Sequence, residues 1–488
     1  MALNLNQTLQ NKYPNLEISV LKYSDAMKDN ECKRIDAEYF KKSALMLLNK
    51  ICNMPHIILG EDYNISKLAG FEFTKYFLEE NMNSSENYIA LTSKNIQNER
   101  LDISDYITID KNVADKNLIR SKILKHDVVL SYTGEYRRSL VMQTKQEFQL
   151  GPNICRIRQI KNNVSPFVVS TFFNSKIGQI ILDKEKTLSA QPTVAMSRLR
   201  KLPIPLFPLE FQQQIEQMVR QSHECLEQSK DLYREAEVLL YQELGLNPQN
   251  PLATITPVSQ SLNFSVRTLK ESLHTTGRLD SEYYQIKYDE IEKVIKNYSG
   301  GYLKLKDIGE FKNGSLISED FYVEKAQRAY IRIKELSFNE PIKIAESVFI
   351  DDNFEAKNET TVKENDFVIA TIGNTIGKVN LIPKELNGSF ISNNTSKFSL
   401  FDNYILPEFL ELLLRSIFVQ EQISREFTQT AQPKISNYSL ENIIIPKINL
   451  QIQTQIAEKI KQSFALRVRA NELLQSAKTK VETAIKQA

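Results

Sequence analysis

The sequence predicts an α+β protein: two tandem α/β domains separated by two long antiparallel coiled-coil helices, with an internal pseudo-twofold repeat. Three observations predict it. Matched segments recur at a nearly constant offset. Short β-rich runs are bounded by glycine, asparagine and aspartate. Two stretches, one central and one C-terminal, carry seven-residue apolar spacing.

The repeat decides the reading. Lys33–Phe40 (KRIDAEYF) matches Gly277–Tyr284 (GRLDSEYY), so that Arg34, Asp36, Glu38 and Tyr39 meet Arg278, Asp280, Glu282 and Tyr283 at an offset of 244. His126–Glu135 (HDVVLSYTGE) matches Asn365–Asn374 (NDFVIATIGN) at an offset of 239. Ala190–Ile215 matches Ala431–Ile456 at an offset of 241, with ten identities in 26 positions. Chance gives about one in sixteen at average composition. The chain is therefore a unit written twice, with small insertions shifting the register.

Within each copy, runs such as YIAL, DVVLSY, YIRIKEL and DFVIATI read as strands. EYYQIKYDEIEKVIKNY and PEFLELLLRSIFVQEQIS read as helices. Pro-Ile-Pro (203–205) and Ile-Pro-Lys (445–447) are expected to break the chain before each long helix. In the central helix one column holds Val219, Leu226, Tyr233 and Leu240, and a small-residue column holds Ser222, Ser229 and Ala236. In the C-terminal helix the columns are Ile460, Arg467, Leu474 and Val481, and Ser463, Ala470, Ala477 and Ala484. Such spacing marks a coiled-coil seam, and the small column lets two backbones approach closely. A helix of this length spans about 54 Å at 1.5 Å per residue. The expected boundaries are a first α/β domain over 1–206, a spacer helix over 207–245, a linker over 246–263, a second α/β domain over 264–447 and a distal spacer helix over 448–488.

Composition bounds the chemistry. The chain has 488 residues, 41% hydrophobic and 25% charged, with a net charge of +2. Two or more domains are expected at this length, and any polyanion contact must be a local patch. MALNLNQTLQNKYPN lacks a signal-peptide core, and no apolar run is long enough to span a membrane. The four cysteines and four histidines show no metal spacing. A reducing, cytoplasmic setting with free thiols and no metal is expected.

Catalytic motifs are missing. No two of the 14 glycines form a G-x-G pair, which excludes the dinucleotide and kinase fingerprints. Gly309 and Gly314 have phosphate-loop spacing but are followed by Ser315 and Leu316. Gly373–Gly377 imitates a nucleophile elbow with Thr375 in the serine position, yet all four histidines precede it. No Pro-Pro dipeptide is present, so the amino-methyltransferase motif is absent as well. Glu-x-Lys triplets such as Glu31–Lys33 are expected by chance in so charged a chain. The stretch TIGNTIGKVN (371–380) looks like a phosphate cradle, but its counterpart YTGEYRRSLV (132–141) keeps only the first glycine. A common scaffold with diverged tips suits recognition of two different things.

The repeated RIDAEYF/RLDSEYY segment, the G-x-T-I-G-K turn at Gly373–Lys378, the L-x-x-I/L-x-I-P segment before each long helix and the Q-x-Q-I helix start together resemble the specificity subunit of a type I restriction–modification system, over nearly the whole chain. The first copy departs from the pattern at its turn (GEYRRS). The resemblance implies that each α/β domain is a target recognition domain for one half of a split double-stranded DNA site. It implies that the helices act as a spacer and as the dock for two methyltransferase subunits, which bring S-adenosylmethionine and methylate adenine N6. Restriction/translocase subunits using ATP and Mg can join. This chain would bind no cofactor and catalyse nothing.

Candidate DNA contacts in the first domain are Tyr132, Thr133, Tyr136, Arg137, Arg138, Arg156, Arg158, Lys161 and Gln191. In the second they are Asn374, Thr375, Lys378, Asn393, Asn394, Lys397, Gln432 and Lys434. Arginine reads guanine edges, asparagine reads adenine, and lysine and threonine hold phosphates. Two rival readings are a specificity chain of another restriction–methylation assembly and a coiled-coil scaffold that binds no DNA.

Overall fold

The computed structural model describes the chain apart from residues 1, 15, 17, 19, 28–29, 31–32, 83, 98, 135–137, 188–189, 256–264, 275, 343, 345–346, 402–403 and 428–431. It divides into two units. The first holds residues 1–224 and 469–488, and the second holds residues 225–468.

The first unit is built on a four-stranded antiparallel sheet of β1 (Tyr63–Lys67), β2 (Val128–Ser131), β3 (Ser139–Val141) and β4 (Ile154–Gln159), in the order β1-β4-β2-β3. All four residues of β2 are buried, as a continuous apolar strand covered on both faces should be. The second unit repeats this sheet with β5 (Gly309–Asn313), β6 (Phe367–Ala370), β7 (Val379–Leu381) and β8 (Thr395–Leu400), in the order β5-β8-β6-β7. Each unit adds a smaller four-stranded sheet containing one parallel pair: Phe148–Leu150 beside Asn87–Leu91, and Arg328–Ile331 beside Phe390–Ile391.

The Pro-Ile-Pro and Ile-Pro segments do more than interrupt the chain. Pro203–Pro205 pairs antiparallel with His56–Ile58, and Ile444–Pro446 pairs with Tyr302–Lys304. Each ladder has only two strands, so a proline can lie there with its missing donor facing outward. The stretch expected as one helix over 407–424 is two, Pro407–Arg415 and Ile417–Glu426, because Ser416 is extended at φ −67° and ψ 158°. Ser175 makes the same break between Pro166–Asn174 and Lys176–Glu185, and its hydroxyl accepts from Gly178 N at 3.1 Å.

The long helices are α1 (Leu209–Glu243, 35 residues) and α2 (Leu450–Gln487, 38 residues). The division between units falls within both. α1 stops where Gly245 takes φ +71°, with Gly245 N bonded to Gln242 O and Leu246 N to Tyr241 O, the double bond of a Schellman end. Leu246 and Ile255, placed in a linker by the sequence, are buried in the core of the second unit.

Within each unit the helices pack antiparallel. In the first, Ser222 Oγ donates to Ala470 O at 2.9 Å and Lys480 to Gln214 at 3.1 Å. In the second, Ser229 faces Ser463, and Lys459 pairs with Glu235 at 2.5 Å. Of the expected seam, Tyr233, Leu240, Ile460, Leu474 and Val481 are buried, whereas Val219 and Leu226 are half-buried. Of the small column, Ser222, Ser229, Ala236, Ser463, Ala470 and Ala477 are at most 1% exposed, whereas Ala484 is half-buried.

The RIDAEYF/RLDSEYY segments are structural clamps. Arg34 holds Asp36 through both carboxylate oxygens at 2.6 Å, and its third nitrogen donates to the carbonyls of Lys184 and Lys186. Arg278 does the same to Asp280, at 2.8 and 2.6 Å, and donates to the carbonyls of Arg425 and Phe427. Each guanidinium thus satisfies carbonyls left over at the end of the Lys176–Glu185 or Ile417–Glu426 helix, and lies over the ring of Tyr39 or Tyr283.

Candidate functional site

Three segments meet at one end of each main sheet, through matching backbone bonds. In the first unit β2 leads into a turn at Gly134, where φ is +74°. Tyr132 N donates to Asn153 O at 3.0 Å, Val194 N to Tyr132 O at 2.9 Å and Gly134 N to Pro192 O at 3.3 Å, and Thr133 bridges Thr193. In the second unit the turn is at Gly373, with φ +70°. Thr371 N donates to Asn394 O at 3.0 Å, Ile435 N to Thr371 O at 3.1 Å and Gly373 N to Pro433 O at 2.9 Å, and Ile372 bridges Lys434. The repeated segments Gln191–Val194 and Gln432–Ile435 are therefore the walls against which the glycine turns are laid. A left-handed φ is why glycine is kept at both positions.

The tips differ. In the second unit Gly373–Thr375 forms one 3-10 turn, and Gly377 follows at φ +88°. Asn374 and Asn393 are exposed, Thr375, Lys378 and Asn394 are half-buried, and Gln432 and Lys434 are exposed on the wall. The Lys378 ammonium stands 5.9 Å from the centre of the Phe338 ring. The Thr375 hydroxyl donates to Ile372 O at 3.1 Å. In the first unit Gln191 is exposed, Tyr132 is half-buried and Thr133 is buried at 9%. Arg138 is half-buried and reaches Ile96 O at 3.4 Å. Tyr136 and Arg137 lie outside the described residues.

Three sequence candidates are directed to interior partners, and a fourth, Lys161, is exposed and reaches a buried carboxylate from the surface. Arg156 is buried, and its guanidinium donates to Lys122 O and to Asn64 Oδ1. Arg158 holds both oxygens of buried Asp127 at 2.7 Å, which keeps its pKa above the ordinary guanidinium value. Lys397 stands 3.5 Å from buried Asp366, and Lys161 stands 3.4 Å from buried Asp62. A carboxylate taken out of water needs a partner, and Arg158, Lys397 and Lys161 supply it.

One residue escapes sequence reasoning. Lys67 ends β1 opposite Cys155, is exposed, and holds its ammonium 5.4 Å from the centre of the Tyr132 ring. Only strand pairing brings it to the turn. Its counterpart by register is Asn313, opposite Ser396 and also exposed. The exposed side chains at these ends are amides and ammonium groups, which hydrogen-bond and hold anions. Among the described residues no group of His, Cys, Asp and Glu is spaced for a metal ion, and no helix is long and apolar enough to cross a membrane.

Residues 301–477, which contain the second turn, its wall and much of α2, match the family model of the type I restriction modification DNA specificity domain. This stretch is similar to a type I specificity domain. The first unit has the same main sheet order and the same turn-and-wall bonding. The type I restriction enzyme MjaVIII specificity subunit of Methanocaldococcus jannaschii is 22% identical over 316 residues, 64% of this chain and 67% of that relative. The type I S subunit of M. genitalium is 12% identical over 88% of this chain and 95% of its own, with a TM-score of 0.42. The HsdS subunit of Thermoanaerobacter tengcongensis is 14% identical over 88% and 96%, with a TM-score of 0.28.

Proposed function

We propose that this chain is the DNA specificity subunit of a type I restriction–modification complex, each turn-and-wall constellation reading one half of an asymmetric bipartite target. The observation that carries this reading is the identical backbone frame in the two units under different side chains at the tips. A shared frame keeps the docking mode constant, and different donors and acceptors select different base edges. The match to a DNA specificity domain and the likeness to a type I specificity subunit of Methanocaldococcus jannaschii support it.

The paired helices dock two methyltransferase subunits, which bring S-adenosylmethionine for adenine N6, and the helix length sets the gap between half-sites. Restriction/translocase subunits with ATP and Mg join that assembly in the cytoplasm. The chain itself performs recognition only. Co-expression with a type I methyltransferase subunit, followed by footprinting on unmodified DNA, tests this. A stable complex protecting two separated stretches is expected. A protein that captures the methyltransferase but protects no DNA would favour the scaffold reading.

A further inference from the structure

Asn174 and Arg415 are each the last residue of equivalent helices, Pro166–Asn174 and Pro407–Arg415. Each reaches the first residue of the strand that leaves the glycine turn. Asn174 Oδ1 accepts from Ser139 N at 3.0 Å, and its Nδ2 donates to Ser139 O at 2.9 Å. Arg415 Nε donates to Val379 O at 3.0 Å. Ser139 and Val379 are equivalent by register, opposite Leu130 and Ile369.

Both contacts continue outward to α2, each within its own unit. In the first, burial raises the Glu99 carboxyl pKa and the Asn174 side chain opposes that rise, and Glu99 pairs with Lys478 of α2 at 2.6 Å. Arg100, beside it, donates to Asn471 of α2 at 2.6 Å. In the second, Arg415 donates to Glu340 O at 3.1 Å, and so does Asn380, next to Val379, at 2.7 Å. Arg467 of α2 then binds Asn339 O at 2.8 Å and the Glu340 carboxylate at 3.1 Å. The residues differ in kind, amide against guanidinium, yet the path is the same: strand after the turn, end of a helix, loop acceptor, cation on α2. Two copies that keep a path while changing its chemistry point to a demand on geometry rather than to inheritance of side chains.

We propose that Asn174 and Arg415 are positioning residues of the two DNA-reading turns, tying the strand that leaves each turn through a loop acceptor to a cation of the C-terminal helix. The inference rests on the DNA-reading function proposed above. A turn held to α2 in this way keeps its tip in one register on the duplex and transmits displacement of the helix to the reader.

The test uses the full chain with its co-purifying methyltransferase and duplexes selected by the wild type from a randomised pool. Affinity is measured for the selected duplex and for duplexes altered in one half-site or the other. Lys478→Met and Asn174→Ala should each lower discrimination at one half-site by about tenfold and leave the other unchanged. Combined, they should lose little more than either alone. Lys478→Arg, which keeps the cation, should restore discrimination, an outcome that loss of packing alone does not produce. Lys478→Met is the variant that folds most safely, because its side chain is 21% exposed. Unchanged discrimination in Lys478→Met and Asn174→Ala, or equal loss at both half-sites, overturns the proposal. Failure of the wild type to select any duplex overturns the DNA-reading function instead.

Discussion

The hydroxyl of Ser229 lies 2.9 Å from that of Ser463, and the Ser463 hydroxyl is 2.8 Å from the Ser229 carbonyl. Arg467 Nε donates to Ser229 Oγ at 2.8 Å. A guanidinium, two hydroxyls and a carbonyl thus form one hydrogen-bonded chain across the helix pair. The contact exists because small residues occupy both helices here, which lets the backbones come close enough for hydroxyl groups to bridge them.

Ser463→Leu should therefore lower unfolding free energy in denaturant by about 1–3 kcal/mol through overpacking. Ser463→Ala should cost about 1 kcal/mol, the net worth of a hydrogen bond. If leucine is tolerated as well as alanine, the helices do not approach this closely.

Glu411 and Arg415 form an ion pair at 2.5 Å with both side chains 2% exposed. Arg415→Met strands a buried carboxylate and should destabilise by about 3–5 kcal/mol. The double variant Glu411→Leu with Arg415→Met should recover much of that loss. Equilibrium unfolding of both variants checks it. A double variant no more stable than the single one would mean that the arginine acts through its bonds to Val379 and Glu340 carbonyls alone.

The clamps make an acid prediction. The guanidiniums of Arg34 and Arg278, bonded to Asp36 and Asp280, hold both carboxyl groups below the ordinary aspartate pKa. A depressed folded pKa adds stability that is full above the unfolded value of about 3.9 and is lost as pH falls through the folded value. Asp36→Asn with Asp280→Asn should flatten the fall of stability below about pH 4 and leave the slope between pH 5 and 7 untouched. Urea midpoints measured across that range decide it.

Several of these features were legible in the sequence, and the exceptions have physical causes. The duplication, the helix seams and the glycine turns show themselves through spacing and identity, which need no coordinates. The break at Ser416 was hidden because apolar spacing continues across it. The roles of Arg156, Arg158, Lys161 and Lys397 were hidden because a sequence displays charge without its direction. Each of these cations lies in or just after a strand, beside a carboxylate or, for Arg156, a carbonyl and an amide oxygen that only the sheet register or the fold brings near. Lys67 was missed for the converse reason, since antiparallel pairing alone carries it to Tyr132. The Gln-Pro segments at 191–192 and 432–433 are visible as a repeat, but their role as a wall emerges only from the bonds of Gly134 and Gly373.

Lys378 is the cation beside the second turn, and in DNA binding it should neutralise one phosphate. Lys378→Ala should weaken binding of the assembled complex to all tested sequences alike and reduce the slope of log affinity against log salt by about one. Fluorescence anisotropy over a salt series measures both. A sequence-dependent loss with an unchanged slope would assign Lys378 to a base edge.

Long-read methylation mapping of cells carrying Asn374→Ala or Thr375→Ala examines the account at its centre. The account predicts that the methylated motif changes or relaxes in one half only, with the other half and the intervening gap as in the wild type. Simultaneous change of both halves, or a motif identical to the wild type in both variants, would contradict it.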